Sequence, residues 1–296
     1  MIVVTAPTSL IGHQVLEHLL KSEEPIRVIA RDPGRLAEAA RGRVEVVQGS
    51  HGDRAVVERA FDGADAVFWL VPPDPRAASV EAAYVDFSRP ASEALTRRGV
   101  ERVVTVSALG RGTAVAGNAG FVTASLGMED LIASTGVSFR ALTMPSFMDN
   151  LLRQIGAIKG RDLFFSPITG DRTLPSVATR DIAAVAATLL LDGSWSGVDS
   201  VPVLGPADLS FDDMARIMSD VLGTPVRFQQ IPGDAFKATM LRAGMSDAMA
   251  QGQLDMAIAK DGGLDNGIAR TPQNAIDTPT TFWQWCEDVL KPAVLT

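Results

Sequence analysis

The stretch Ile2-Val3-Val4-Thr5-Ala6-Pro7-Thr8-Ser9-Leu10-Ile11-Gly12 decides the fold. Residues 2–5 are all β-branched, which suits a buried strand. From Ile11 onward the apolar positions Ile11, Val15, Leu16, Leu19 and Leu20 recur at helical spacing. A short turn of small residues joins the two, so the chain opens as strand, turn, helix. The alternation continues. Apolar runs at 26–30, 44–48, 66–71, 103–107 and 139–143 read as strands, with helical patterns at 35–40, 55–61, 80–98 and 122–134. Pro90 is expected to bend the helix over 80–98. Strands that are apolar throughout, rather than alternately, belong to a parallel sheet covered on both faces. The fold class expected is α/β, a doubly wound parallel sheet of Rossmann type with a smaller, mostly helical C-terminal region.

Composition narrows the function. The 296 residues include 27 Lys plus Arg against 35 Asp plus Glu, a formal charge of −8. No basic stripe offers itself to a phosphate backbone, so direct nucleic-acid binding is not expected. Cys286 is the single cysteine and only His13, His18 and His51 are histidines, which leaves no material for a disulfide, a thiolate zinc site or a His-rich metal centre. The longest nearly apolar run, 182–191, has about half of the ~20 residues a spanning helix needs. The first residues read as a core strand and not as a leader, so a cytoplasmic protein without membrane contact is the expectation.

The second half carries a helix at 182–191, a strand at 201–204, a helix over 211–222 capped by Ser210, a strand at 226–230, helical residues 235–260 and a last helix at 280–290. Asp212, Asp213, Glu23 and Glu24 read as helix-start and solvated charges. The division expected is 1–150 for a dinucleotide-binding domain and 151–296 for a substrate or partner region packed on it.

In an open parallel sheet the ligand crevice lies beyond the carboxyl ends of the strands, where strand order reverses. Small residues in the first strand–helix turn let backbone N–H groups and a helix N-terminus approach a pyrophosphate. Ala6, Ser9 and Gly12 stand there at three-residue spacing, although only Gly12 is glycine, and Pro7 removes a donor. Arg31, with Arg35 four residues on, follows the second strand. A guanidinium there clamps a 2′-phosphate, and a solvated Arg31-Asp32 loop is the plainer reading.

The chain resembles the NmrA-like family of atypical short-chain dehydrogenases. Its T-G-A-T-G-x-x-G turn is matched by Thr5 to Gly12, and further likeness lies in 99–107, around Glu129, in 145–150, 180–183, 204–206 and 278–282. The departures are Ala6 and Ser9 in place of glycines, whose Cβ atoms narrow the groove and disfavour positive φ. The resemblance implies NADP(H) as cofactor, held by Thr5, Ala6, Thr8, Ser9, Leu10, Ile11, Gly12, Arg31, Arg35, Ser50, Val71, Pro72 and Ser107. Ser50 stands where relatives carry an adenine-binding carboxylate. His51 is expected to face solvent or to stack on a ligand ring.

The resemblance also locates the proton donor of a reducing member, usually a tyrosine with a lysine four residues later. Those positions are Phe121 and Ser125, neither suited to the task. Ser107, at the end of the fifth strand, is the remaining catalytic candidate, to orient a substrate carbonyl or simply to bond the next turn. Pro73, Phe121, Ser125, Phe147 and Asn150 are the substrate-binding candidates; Asp149 is expected to help shape the cleft floor. Met240, Met245, Met249 and Met256 read as core or subunit packing, or as a soft wall for a flat ligand. No metal site is expected.

Three functions follow. One is an NADPH-dependent reductase of quinones or enones, taking its proton from water. Another is a non-catalytic NADP(H) sensor that binds a regulatory protein partner. A third is a scaffold repurposed for a non-redox biosynthetic step. A small-molecule substrate is expected for the first, and a homodimer is open.

Overall fold

The computed structural model describes all residues, 1–296. Its strands are Ile2–Thr5 (β1), Ile26–Ala30 (β2), Val44–Gln48 (β3), Ala66–Trp69 (β4), Arg102–Ala108 (β5), Ser138–Met144 (β6), Ser146–Phe147 (β7), Leu163–Ser166 (β8), Leu174–Val177 (β9), Val198–Pro202 (β10), Asp208–Leu209 (β11) and Arg227–Gln230 (β12). Seven of them form one sheet in the order β10-β6-β5-β4-β1-β2-β3. β1 pairs with β2 and β4, β2 with β3, β4 with β5 and β6 with β10, all in parallel. The doubly wound α/β expectation is met, because every residue of β1 and β4 is buried and both faces of the sheet are covered. Strand order reverses on either side of β1, so the turn that follows it sits at the switch point.

The chain folds into two compact units that interleave along the sequence. One comprises Met1–Ala108, Ala124–Thr143 and Ile182–Pro202; the other comprises Leu109–Thr123, Met144–Asp181 and Val203–Thr296. A single division after residue 150 is therefore replaced by repeated crossings. Residues 182–202 return to the large sheet, where Val198 to Pro202 lie beside Phe139 to Thr143 as the edge strand.

The core of the first unit joins Val3, Ile29, Val67, Trp69 and Val103 of the sheet to Val57, Phe61, Leu95, Met128 and Ile132 of its helices. The expected bend at Pro90 takes another form. A π-helical turn, Ala82–Asp86, precedes the Phe87–Arg98 helix that contains this proline. Proline cannot donate and its ring crowds the carbonyl four residues back, so the ladder widens just upstream. The Cys286–Leu290 turn before Pro292 is built in the same way.

The second unit holds two small sheets, β11-β9-β7 and β12-β8. Its core gathers Met148, Phe164, Met214, Met218, Phe282 and Trp285. Ser210 caps the Phe211–Leu222 helix, as the sequence predicts, and Asp213, expected only as a helix-start or solvated charge, completes a reciprocal cap with it. The single helix expected over 235–260 is instead two, Gly233–Arg242 and Asp247–Asp261, separated at Gly244 (φ 90°) and restarted by the Ser246 cap. The helix expected at 35–40 shrinks to a Pro33–Arg35 turn and a four-residue Glu38–Arg41 helix. No helix is long and apolar enough to cross a membrane.

Candidate functional site

The turn after β1 closes on itself. Ala6 takes φ 49°, a left-handed conformation that an L side chain occupies at a cost of about 1–2 kcal/mol. This conformation turns the Ala6 carbonyl to receive Ser9 N–H at 3.0 Å and Ser9 Oγ–H at 2.7 Å. Ser9 Oγ in turn accepts Gly12 N–H at 3.2 Å and caps the Leu10–Leu19 helix. Ser9 itself stays extended, so only one of the two substituted glycine positions calls for positive φ. Gly12 is required for another reason: a Cβ there would stand 2.2 Å from Ala6 O.

With Gly12 N–H taken by Ser9 Oγ and His13 N–H by Ser9 O, the Leu10 and Ile11 N–H groups at the helix end have no intrachain acceptor. They fit a phosphate, because the dipole and donors of this ten-residue helix converge beside a turn of small side chains. The Ile11 side chain is in the core and Leu10 is exposed. Thr8 is half-buried in the turn. Thr5 serves differently. Its Oγ1 accepts Leu70 N–H at 2.8 Å and donates to Phe68 O at 2.9 Å, tying the ends of β1 and β4 together.

At the end of β2, Arg31 and Arg35 are exposed, and neither guanidinium has an ion-pair partner. Asp32 is committed to its own turn, accepting Gly34 N–H at 3.0 Å. After β3, Ser50 Oγ accepts Gly52 N–H at 3.2 Å. His51 is not a solvent-facing loop residue. Its ring meets Phe87 edge-on at 4.8 Å and Trp69 at 5.2 Å, and its Nε2 is buried without a partner. Burial drives its pKa down to about 4, opposed by a hydrogen bond to the Leu70 backbone and reinforced by the Arg31 charge. After β4, Val71 is buried, Pro72 exposed and Pro73 half-buried.

At the end of β5, Ser107 Oγ donates to Glu129 Oε2 at 2.5 Å, a short bond between two buried groups. The sequence used Glu129 only as a landmark of resemblance and missed its place here. Its position four residues beyond Ser125, on the same helical stripe, was the available signal.

The substrate candidates divide between the units. Pro73 and Ser125 belong to the first; Phe121, Phe147 (both half-buried) and Asn150 (exposed) belong to the second. Asp149, also in the second, is occupied structurally: its Oδ2 accepts Thr179 N–H at 3.0 Å at the start of the Thr179–Leu191 helix. Of the methionines, Met249 is buried and Met240, Met245 and Met256 are half-buried. No group of three or more His, Cys, Asp or Glu side chains is placed to hold a metal ion.

A parallel sheet with a helix-capping turn at its switch point defines a dinucleotide-binding α/β protein. Over residues 8–193 the chain matches the family described as NAD(P)H-binding, and it belongs to that family. It is 31% identical over 292 residues, 96% of each chain, to the (4-alkanoyl-5-oxo-2,5-dihydrofuran-3-yl)methyl phosphate reductase of Streptomyces griseus. It is 27% identical over 251 residues, 84% of each, to an NAD(P)H azoreductase of Xenophilus azovorans. Among solved structures, the fold is shared with the NADPH-dependent quinone oxidoreductase of Escherichia coli complexed with NADPH, at a TM-score of 0.82 and 22% identity over 98% of this chain and 100% of that one.

Proposed function

We propose that this chain is an NADPH-dependent reductase of flat, conjugated electrophiles, quinones or enones, of the NmrA-like branch, working without a Tyr-Lys pair. The observation that carries the reading is the β1 turn, where the Leu10 and Ile11 N–H groups remain unpartnered at a helix end that Gly12 lets approach Ala6 closely. The relatives support the reaction class, since those named are reductases, and a 5-oxo-2,5-dihydrofuran is an unsaturated lactone.

When bound, the coenzyme supplies a hydride. The protein's own residues do the rest. Leu10 and Ile11 hold the pyrophosphate through their backbone, and Arg31 and Arg35 receive the 2′-phosphate that distinguishes NADPH. The Asp32 carboxylate accepts Gly34 N–H through Oδ1 alone, so the preference for NADPH rests on the two arginines. Phe121 and Ser125 stand where a tyrosine and a lysine are expected, so the proton that completes the reduction comes from water.

Titration of the protein with NADPH, followed by nicotinamide fluorescence, and turnover with a panel of quinones and enones test the reading. Micromolar binding with turnover is expected. Binding without turnover of any electrophile would instead favour a sensor, and no binding at millimolar nucleotide would favour a repurposed scaffold.

A further inference from the structure

The helix Phe121–Ala133 follows β5 and leads back to Ser138, whose N–H meets Glu101 O beside the start of that strand. The helix therefore runs from the carboxyl edge of the sheet towards its amino edge. Glu129 marks one level along it, fixed by its hydrogen bond from Ser107 at the carboxyl end of β5. Ser125 lies on the same stripe one turn earlier, about 6 Å further out towards the edge where ligands bind in sheets of this class.

Ser125 is only 7% exposed, yet its hydroxyl has no hydrogen-bond partner within the protein. It is not one of the enclosed side-chain atoms left without a partner, so the hydroxyl still reaches the surface and its donor is open to a bound molecule. Ser107 cannot take this part, because its one hydroxyl hydrogen is committed to the Glu129 carboxyl group; the two residues are 4% and 6% exposed. What remains is a single uncommitted hydroxyl one turn above a fixed polar pair.

We propose that Ser125 donates a hydrogen bond to the carbonyl oxygen of the electrophile, with Ser107 and Glu129 as positioning residues that fix the depth and direction of the Ser125 turn. This rests on the reductase reading and names the group that reading lacks. When hydride from the reduced nicotinamide adds to the conjugated carbon, the electron pair of the carbonyl π system moves to oxygen. Ser125 stabilises the oxyanion without giving up its proton, and water then protonates it. A carbonyl electrophile is thus favoured over one without such an oxygen.

The test compares the wild type with Ser125→Ala, Ser125→Thr and Glu129→Gln, using a quinone and an azo dye that carries no carbonyl oxygen. Calorimetry adds the affinity of the NADP-loaded protein for the hydroquinone product. Ser125→Ala is expected to lower kcat on the quinone by on the order of 100-fold, with a smaller loss on the azo dye and unchanged NADPH affinity. Threonine, which keeps the hydroxyl, restores most of the rate, and Glu129→Gln shows the same preference for loss on the quinone. Hydroquinone binding weakens in Ser125→Ala whether or not turnover is measurable. Equal losses on both electrophiles, a quinone rate at the wild-type level, or hydroquinone affinity that Ser125→Ala leaves unchanged overturns the proposal while leaving coenzyme binding intact. Absence of NADPH binding by the wild type overturns the reductase reading itself.

Discussion

The Ser9 hydroxyl donates to the Ala6 carbonyl at 2.7 Å while accepting the Gly12 N–H, so a side chain does in this turn part of what bare backbone does in a glycine-rich one. Small residues at positions 6 and 9 therefore preserve the turn by two different means. Ala6 bears a strained φ, and Ser9 supplies a helix cap in an ordinary conformation.

Replacing Ala6 with glycine relieves the left-handed strain, although it also loosens the unfolded chain. The net gain expected is about 0.5–1 kcal/mol in stability, with tighter NADPH binding. Thermal unfolding together with a coenzyme titration checks both. A stability loss would show that Ala6 is not strained.

Ser9→Ala removes the cap and the tie to Ala6 together. It should cost about 1 kcal/mol in chemical denaturation and weaken NADPH, because the turn that holds the Leu10 and Ile11 N–H groups is no longer braced. An unaltered midpoint would contradict the capping role.

Arg31→Ala should weaken NADPH by about 10- to 100-fold and leave NADH nearly unchanged, the range expected for losing hydrogen bonds to a charged group. Parallel titrations with the two coenzymes decide it. Equal losses would remove Arg31 from the 2′-phosphate.

His51 gives a pH signature with a definite sign. Its folded pKa of about 4 lies below the ordinary histidine value of 6.5, so the unfolded chain binds the extra proton between these values. Stability from this group is complete above about pH 6.5, falls as pH drops towards 4, and amounts to about 3 kcal/mol across that window. His51→Phe should flatten that part of the curve relative to the wild type in denaturation experiments at successive pH values. Parallel curves would place the imidazole in solvent.

The legible parts of the sequence were those that burial dictates. β1 and β4 announce themselves because strands covered on both faces must be apolar throughout, whereas β3, at the edge of the sheet, buries only Val47 and shows through its valines. β10 was expected at 201–204, yet it begins at Val198, because as an edge strand it exposes Val198, Asp199 and Ser200 and its start reads as a loop. The strands β7, β8, β9 and β11, of two to four residues, are too short for any periodicity to show. His51 looked like a loop residue because the aromatic pair enclosing it, Trp69 and Phe87, lies 18 and 36 positions away. Glu129 was visible as a letter but not as the partner of Ser107, a pairing across 22 residues that only the packing of helix on strand creates.

The central claim is that the turn from Thr5 to Gly12 holds a coenzyme pyrophosphate, and Gly12→Val tests it most directly. A side chain at Gly12 must displace Ala6 O, because even its Cβ would stand 2.2 Å away. NADPH titration by nicotinamide fluorescence should give micromolar binding for the wild type and none for a variant that circular dichroism shows to be folded. A folded Gly12→Val protein that binds NADPH as the wild type does, or a wild type that does not bind it, would contradict the account.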